Sequence, residues 1–260
     1  ASLENLRKAG VRCPLVDFVP DATFGTHVQN KQKASDFMRD HALRNKKFIC
    51  VVPRLRGTPY YWIAPELRYD PALWSEERVR AVDALNNRHK EEDHAKARAA
   101  MTVWVRETGN PVLLCPEMIH NMDLFDELLF NPLPDDVKQK VIKKESFWRI
   151  DEATTMYKNA AAVISLECHS PIIACTQGTP AFYLRQPEDT IKGQMYYDIG
   201  LSKWVFEIED TKGEDVAGRL MNVYNDYQVA IDYLDSAMNF VRERQREAMM
   251  KIRATLTKRF

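Results

Sequence analysis

Short apolar runs interrupt a largely polar chain at Cys13–Val19, Phe48–Val52, Pro111–Cys115, Ala161–Leu166, Ala181–Leu184 and Trp204–Ile208. They are rich in Val, Ile, Leu or Phe and continuous rather than alternating, the pattern of strands covered on both faces. Helical stretches lie between them. Ser35–Asn45 is one, Ser75–Gly109 holds one or two with a break near Asn86 and Asn87, and Asp135–Lys144, Asp151–Asn159 and Pro171–Gln177 follow. Strands alternating with helices predict an α/β fold built on a parallel sheet with right-handed crossovers. Asp151 and Ser170 are placed to cap helices, with Pro171 at a first helical position, while Gly109 and Gly178 stand where helices end. Val216, Leu220, Val223, Tyr227, Ile231, Leu234, Met238 and Val241 recur at spacings of three or four, one face of an amphipathic helix or helix pair.

The 260 residues allow one large domain or two small ones. A helix at Ser2–Lys8 and a strand at Cys13–Val19 make only one βα fragment, so residues 1–30 are expected to end a preceding domain. Residues 31–235 then form the α/β domain and residues 236–260 a C-terminal helix. Lys and Arg number 37, as do Asp and Glu, so the formal net charge is zero. That balance argues against nucleic acid as the main partner, which usually requires a basic excess. No apolar run approaches the ~18 residues of a membrane span, and the polar N-terminus is unlike a signal peptide. The stretch Val241–Phe260 carries seven basic and two acidic residues. It suits a solvated helix end, where the dipole favours cations, or a patch at a membrane surface. The five cysteines include no CxxC pair, which predicts small buried thiols in a reducing cytoplasm. No GxG occurs, which removes the dinucleotide fingerprint and the P-loop.

The residues with chemistry follow candidate strands, and open parallel sheets bind ligands beyond the carboxyl ends of their strands. After Phe48–Val52 comes PRLRGTPYY, where Arg54 and Arg56 can point the same way and present two guanidinium forks to a carboxylate or phosphate. Alternatively, both pair with acids or cover the sheet edge. After Ala161–Leu166 come Glu167, Cys168 and His169, leading into a helix. Helix N-termini attract anions, and an imidazole there can donate to a phosphate or act as a general acid. A structural hydrogen-bonding histidine is the alternative. Glu167 can orient that ring, bind a sugar hydroxyl, or pair with Arg54 or Arg185. Arg185, Gln186, Glu188, Asp189 and Lys192 follow the next strand and suit a sugar or phosphate contact, or form an ordinary loop. Glu117 follows Pro111–Cys115 as a candidate ligand or base, with His120 read as a surface loop residue. His89 and His94, five apart on a charged helix, do not share a face for metal binding.

Three elements, FICVVPRLRGTPYY, AAVISLECHSPIIACTQGTP and KGQMYYDIGLSKWVFEI, resemble the polysaccharide pyruvyl transferase family, and the opening GVRCPLVDFVPDATF resembles the end of that family's N-terminal domain. The likeness covers nearly the whole chain but only the C-terminal part of a family member. It implies a Rossmann-like parallel sheet with helices on both faces, the C-terminal domain of a GT-B-like pair facing a cleft. It further implies transfer of pyruvate from phosphoenolpyruvate to two hydroxyls of a glycan or glycan precursor as a ketal, with no cofactor. His169 matches the family's histidine, implied to contact phosphoenolpyruvate and serve as an acid. Arg54 or Arg56 matches the arginine that holds the donor's anionic groups. The family commonly has Arg two residues before the histidine, where this chain has Glu167. A carboxylate there repels such a donor, so Arg56 or Arg185 supplies the cation or the donor differs. The other enzyme reading is a GT-B glycosyltransferase using a nucleotide sugar, and a third is a non-catalytic glycan-binding module.

Overall fold

The computed structural model describes residues 2–13, 15–63 and 74–257. Six strands form one parallel sheet: β1 (Ile49–Val52), β2 (Val112–Leu114), β3 (Val141–Lys143), β4 (Ala162–Ser165), β5 (Ala181–Arg185) and β6 (Val205–Glu207). Their spatial order is β3-β2-β1-β4-β5-β6, the Rossmann-like arrangement, with the order reversing between β1 and β4. At that junction Ile49, Cys50, Val51 and Val52 lie opposite Ala162, Val163, Ile164 and Ser165. Every residue of β1, β2 and β4 is buried, so the sheet is covered on both faces, as their unbroken apolar sequences predict.

The helices are α1 (Ser2–Lys8), α2 (Lys31–Asp40), α3 (Tyr60–Ile63), α4 (Glu76–Thr108), α5 (Asp135–Lys138), α6 (Ile150–Asn159), α7 (His169–Thr176), α8 (Gln194–Asp198), α9 (Gly213–Asn225) and α10 (Tyr227–Thr257). Helices α4 and α9 pack together, and α6 packs against α2 and α7. Gly213 sets how closely α9 approaches α4, since a Cβ there would stand 2.5 Å from that of Ala99. Gly109 ends α4 in the left-handed region (φ 66°) and Gly178 follows α7 (φ 74°), both where the sequence places helix ends. The amphipathic C-terminal pattern is a helix pair, and α10 runs unbroken through position 235. None of its described residues beyond Val241 is buried. Among the described residues no helix is long and apolar enough to cross a membrane.

Several local expectations are corrected. The described residues of Cys13–Val19 form no strand (Pro14 lies outside them) but an irregular segment, which Asp17 ties to α10 through Arg244 at 2.8 Å and Lys251 at 2.7 Å. Cys13 is exposed, unlike the four buried thiols. The helix expected over Ser35–Asn45 is α2, which starts earlier at Lys31 and ends at Asp40. The stretch Asp135–Lys144 is a short helix followed by edge strand β3, only partly buried and therefore without a continuous apolar run. Arg149 rather than Asp151 stands at the start of α6, and Cys168 rather than Ser170 at the start of α7. Helix α4 does not break at Asn86. The Asn86 side chain accepts from the Gly57 amide and donates to the Gly57 carbonyl, both at 2.8 Å, so its amide group serves the neighbouring loop instead of competing for its own backbone.

Replacing Asn86 by Ala leaves two backbone groups of Gly57 without this partner and is expected to lower stability by about 1–3 kcal/mol. Replacing the exposed Asn87 by Ala should change it by no more than about 0.5 kcal/mol. Urea unfolding of the two variants checks the contrast.

Candidate functional site

The carboxyl ends of β1, β2, β4 and β5 bring Arg54, Glu117, Glu167, His169 and Gln186 to the edge where the strand order reverses. Strand β1 runs directly into Pro53 and Arg54. The Arg54 side chain is largely buried between two carboxylates: its Nη1 donates to Asp189 Oδ1, and its Nε faces Glu167 Oε2 at 3.3 Å. Burial alone would lower its pKa, but Glu167 and Asp189 outweigh burial and hold the guanidinium charge. Arg56 is deeper. It donates to Asp93 on α4 through Nε at 2.8 Å and Nη2 at 2.9 Å, and to Glu209 through Nη1 at 2.7 Å. Arg56 is therefore a structural tie between the loop after β1 and α4, and not a cation presented to a ligand.

The polar residues after β5 divide in the same way. Gln186 is fully buried, with Nε2 on Asp93 Oδ2 at 3.1 Å and its amide on Asp189 Oδ2 at 3.0 Å. Arg185 donates to Glu207 at 2.7 Å and to the Thr190 carbonyl, passing over Gly193, where a Cβ would collide with it. Lys192 is exposed. Arg56, Arg185, Gln186 and Lys192 are thus not gathered into one ligand-facing cluster. Asp93, Asn121 and Asp189 are site-forming residues that the sequence reading missed or left among loop polars.

Glu117 and His169 do come together. The Glu117 carboxylate lies 3.2 Å from His169 Nδ1 through Oε1 and accepts from the Ser170 amide at 2.6 Å through Oε2. The anion at the N-terminus of α7 is therefore this internal carboxylate, which already satisfies an end amide and the dipole. The expected anion site is filled by the protein itself. The His169 ring is 46% exposed. Cys168 Sγ at 3.5 Å and the Glu117 carboxylate favour its charged form over the opposing effect of burial, pushing it up to about 10. At neutral pH His169 thus holds a proton on each ring nitrogen, and Nδ1 faces Glu117.

Glu167 is buried and held up to about 8, because burial and the nearby Glu117 outweigh Arg54 and the Asn121 side chain. Asn121 Nδ2 lies 3.4 Å from Glu167 Oε1, and Asn121 Oδ1 accepts from the amides of Glu117 and Met118 at 2.9 and 2.5 Å. One asparagine thereby fixes the loop that carries the carboxylate partner of His169. His120, expected on the surface, is buried instead. Both its ring nitrogens lack a partner, and burial together with the Arg54 charge lowers it to about 4. His94 is likewise buried and neutral, with Nδ1 2.6 Å from the Lys90 carbonyl. No group of three His, Cys, Asp or Glu placed to hold a metal ion occurs among the described residues.

A cleft of about 630 Å³ opens beside His169 and Glu117. Its floor is Trp148 and Tyr157, packed edge to face at 5.6 Å, with Pro116, Met118, Phe147, Ile150 and Ile173 around them. The site therefore joins a protonated imidazole, held by a carboxylate, to a mostly apolar recess.

No protein-family model and no curated protein matches this chain. Among solved structures it is similar to an α,α-trehalose-phosphate synthase (UDP-forming) from Burkholderia xenovorans, crystallised in complex with glucose-6-phosphate. The identity is 11% and the TM-score 0.49, covering 85% of this chain and 46% of that one. The chain thus spans about half the length of that structure, and a likeness at this level assigns no activity.

Two pH responses follow. Glu167 and His169 both bind a proton more tightly when folded, so each adds stability at low pH that is lost as pH rises: between 4.5 and about 8 for Glu167, and between 6.5 and about 10 for His169. Glu167→Gln should flatten the first of these declines in urea unfolding followed against pH. In NMR titration the His169 ring should remain protonated through neutral pH, and Glu117→Gln should lower its pKa.

Proposed function

We propose that this chain is the α/β half of a sugar-directed transferase, in which His169 supplies a proton at the reacting oxygen and Glu117 holds the imidazole in place. The observation that carries this reading is the His169–Glu117 pair at the start of α7, at the reversal of strand order, beside a cleft. A charged imidazole is suited to protonate a leaving or bridging oxygen, and the exposed part of its ring is the part a ligand reaches. The carboxylates around it suit sugar hydroxyls, which donate to them.

Transfer of a glycosyl group from a nucleotide sugar fits this electrostatic setting better than transfer of pyruvate. Phosphoenolpyruvate concentrates a carboxylate and a phosphate on three carbons and needs unpaired cations. Here Arg54, Arg56 and Arg185 each face carboxylates. A nucleotide sugar also needs a cation for its diphosphate, but it carries its charge there alone, and the remainder is neutral hydroxyl and ring. Pyruvyl transfer remains the second reading because of the strand–His169–helix turn and its resemblance to that family. It requires Arg54 to exchange Glu167 and Asp189 for the donor. In that reaction the enol carbon is protonated, a sugar hydroxyl adds to the resulting cationic carbon, and a second hydroxyl displaces phosphate.

Calorimetric titration of the chain with a panel of nucleotide sugars, and separately with phosphoenolpyruvate, tests the two. Glycosyl transfer predicts saturable binding of a nucleotide sugar, weakened about tenfold or more in His169→Ala and Glu117→Gln. Binding of phosphoenolpyruvate alone, strengthened by Glu167→Arg, moves the function to pyruvyl transfer. Binding of either ligand unaffected by His169→Ala removes that residue from the site.

A further inference from the structure

We infer that the cleft beside His169 receives an uncharged hydrocarbon group carried by the sugar acceptor, an aryl or alkyl aglycone, rather than a nucleobase or a further sugar. This rests on the reading of the site as sugar-directed and names the part of the ligand that the cleft selects. The argument starts from the floor of the cleft, whose polar atoms are paired with each other or with the protein backbone, while the exposed Arg149 stands on the rim between Phe147 and Ile150. Trp148 Nε1 donates to the Pro116 carbonyl at 2.8 Å. Tyr157 Oη donates to Ser170 Oγ at 3.0 Å, and the Ser170 amide donates to Glu117 at 2.6 Å. What these residues turn toward the cleft is ring and hydrocarbon surface, extended by Met118, Ala153 and Ile173.

The rim points the same way. Phe147 is 48% exposed and Ile150 is 51% exposed, and both border this recess. Large apolar side chains left in water around a concave site mark ligand contact. The recess, at about 630 Å³, is of the size that holds a small-molecule group. A nucleobase or a sugar ring seated there would set several of its donors and acceptors against the hydrocarbon of Trp148, Phe147, Ile150 and Ile173, which costs affinity for each one left unpaired. A hydrocarbon group meets no such penalty. Its attachment point to the sugar then lies at the end of the cleft where His169 and Glu117 stand.

The test is calorimetric titration of the chain with octyl and 4-nitrophenyl glycosides of glucose, galactose and mannose, each below its micelle-forming concentration, against the corresponding methyl glycosides and against uridine and adenosine. The hydrocarbon-bearing glycosides should bind at least tenfold more tightly than their methyl counterparts whichever sugar is used. The double variant Phe147→Ala/Ile150→Ser, at exposed positions that the core does not need, should abolish that difference. Equal affinity for methyl and hydrocarbon-bearing glycosides, or no binding by any of them, overturns the inference. So does nucleoside binding that Phe147→Ala weakens. A hydrocarbon preference that survives His169→Ala, with every methyl glycoside and nucleotide sugar silent, keeps the apolar subsite and removes the transfer reading. Loss of nucleotide-sugar binding in His169→Ala without any hydrocarbon preference does the reverse.

Discussion

The compensation of buried charge at the carboxyl edge of the sheet is the constraint on which the other features depend. Arg54 and Arg56 leave β1 only two residues apart and enter a region with little water. Each unpaired charge there would carry a desolvation penalty of several kcal/mol. The fold answers with Asp93 from α4, Asp189 and Gln186 from beyond β5, and Glu167 from just beyond β4. These contacts link segments far apart in sequence and fix where the loop after β1 runs. The same network holds Glu167 beside Asn121, whose side-chain oxygen sets the loop that delivers Glu117 to His169.

The electrostatics of the site follow from that network. Burial and the nearby Glu117 outweigh Arg54 at Glu167, so its carboxyl holds a proton more tightly than a free one while still countering the guanidinium when ionised. His169, nearer solvent and facing Glu117, takes the opposite course for a base and stays charged. Two groups two residues apart thus both hold a proton more tightly than when free, for different reasons, one chiefly through burial and one through its partners. That separation by environment is what the proposed acid chemistry of His169 would use.

The sheet was largely legible in the sequence because its strands are buried on both faces. Continuous apolar runs at Phe48–Val52, Ala161–Leu166 and Ala181–Leu184 correspond to β1, β4 and β5. The edge strand β3 escaped because Val141, Ile142 and Lys143 are only partly covered. Cys13–Val19 misled for the converse reason: an apolar run can serve an irregular segment tied to a helix as well as a strand. In the site, position was readable and partnership was not. The residues after β1, β2, β4 and β5 were singled out because chemistry gathers at strand ends. That Arg56 would be held by Asp93, 37 residues away on a helix of charged residues, has no local signal. Nor does the burial of His120, which follows from the turn after β2 folding inward.

Glu117 at the start of α7 has one more consequence. By placing its own carboxylate on the helix amide, the chain has closed the position at which dissolved phosphate or sulfate would ordinarily settle. The cation on His169 then faces the cleft with its countercharge already built into the wall, as a zwitterion rather than as a bare positive centre. A recess of that kind sorts its visitors by contour and by the hydrogen bonds they can return. Ionic strength then acts on the exposed Arg149 at the rim more than on the paired His169.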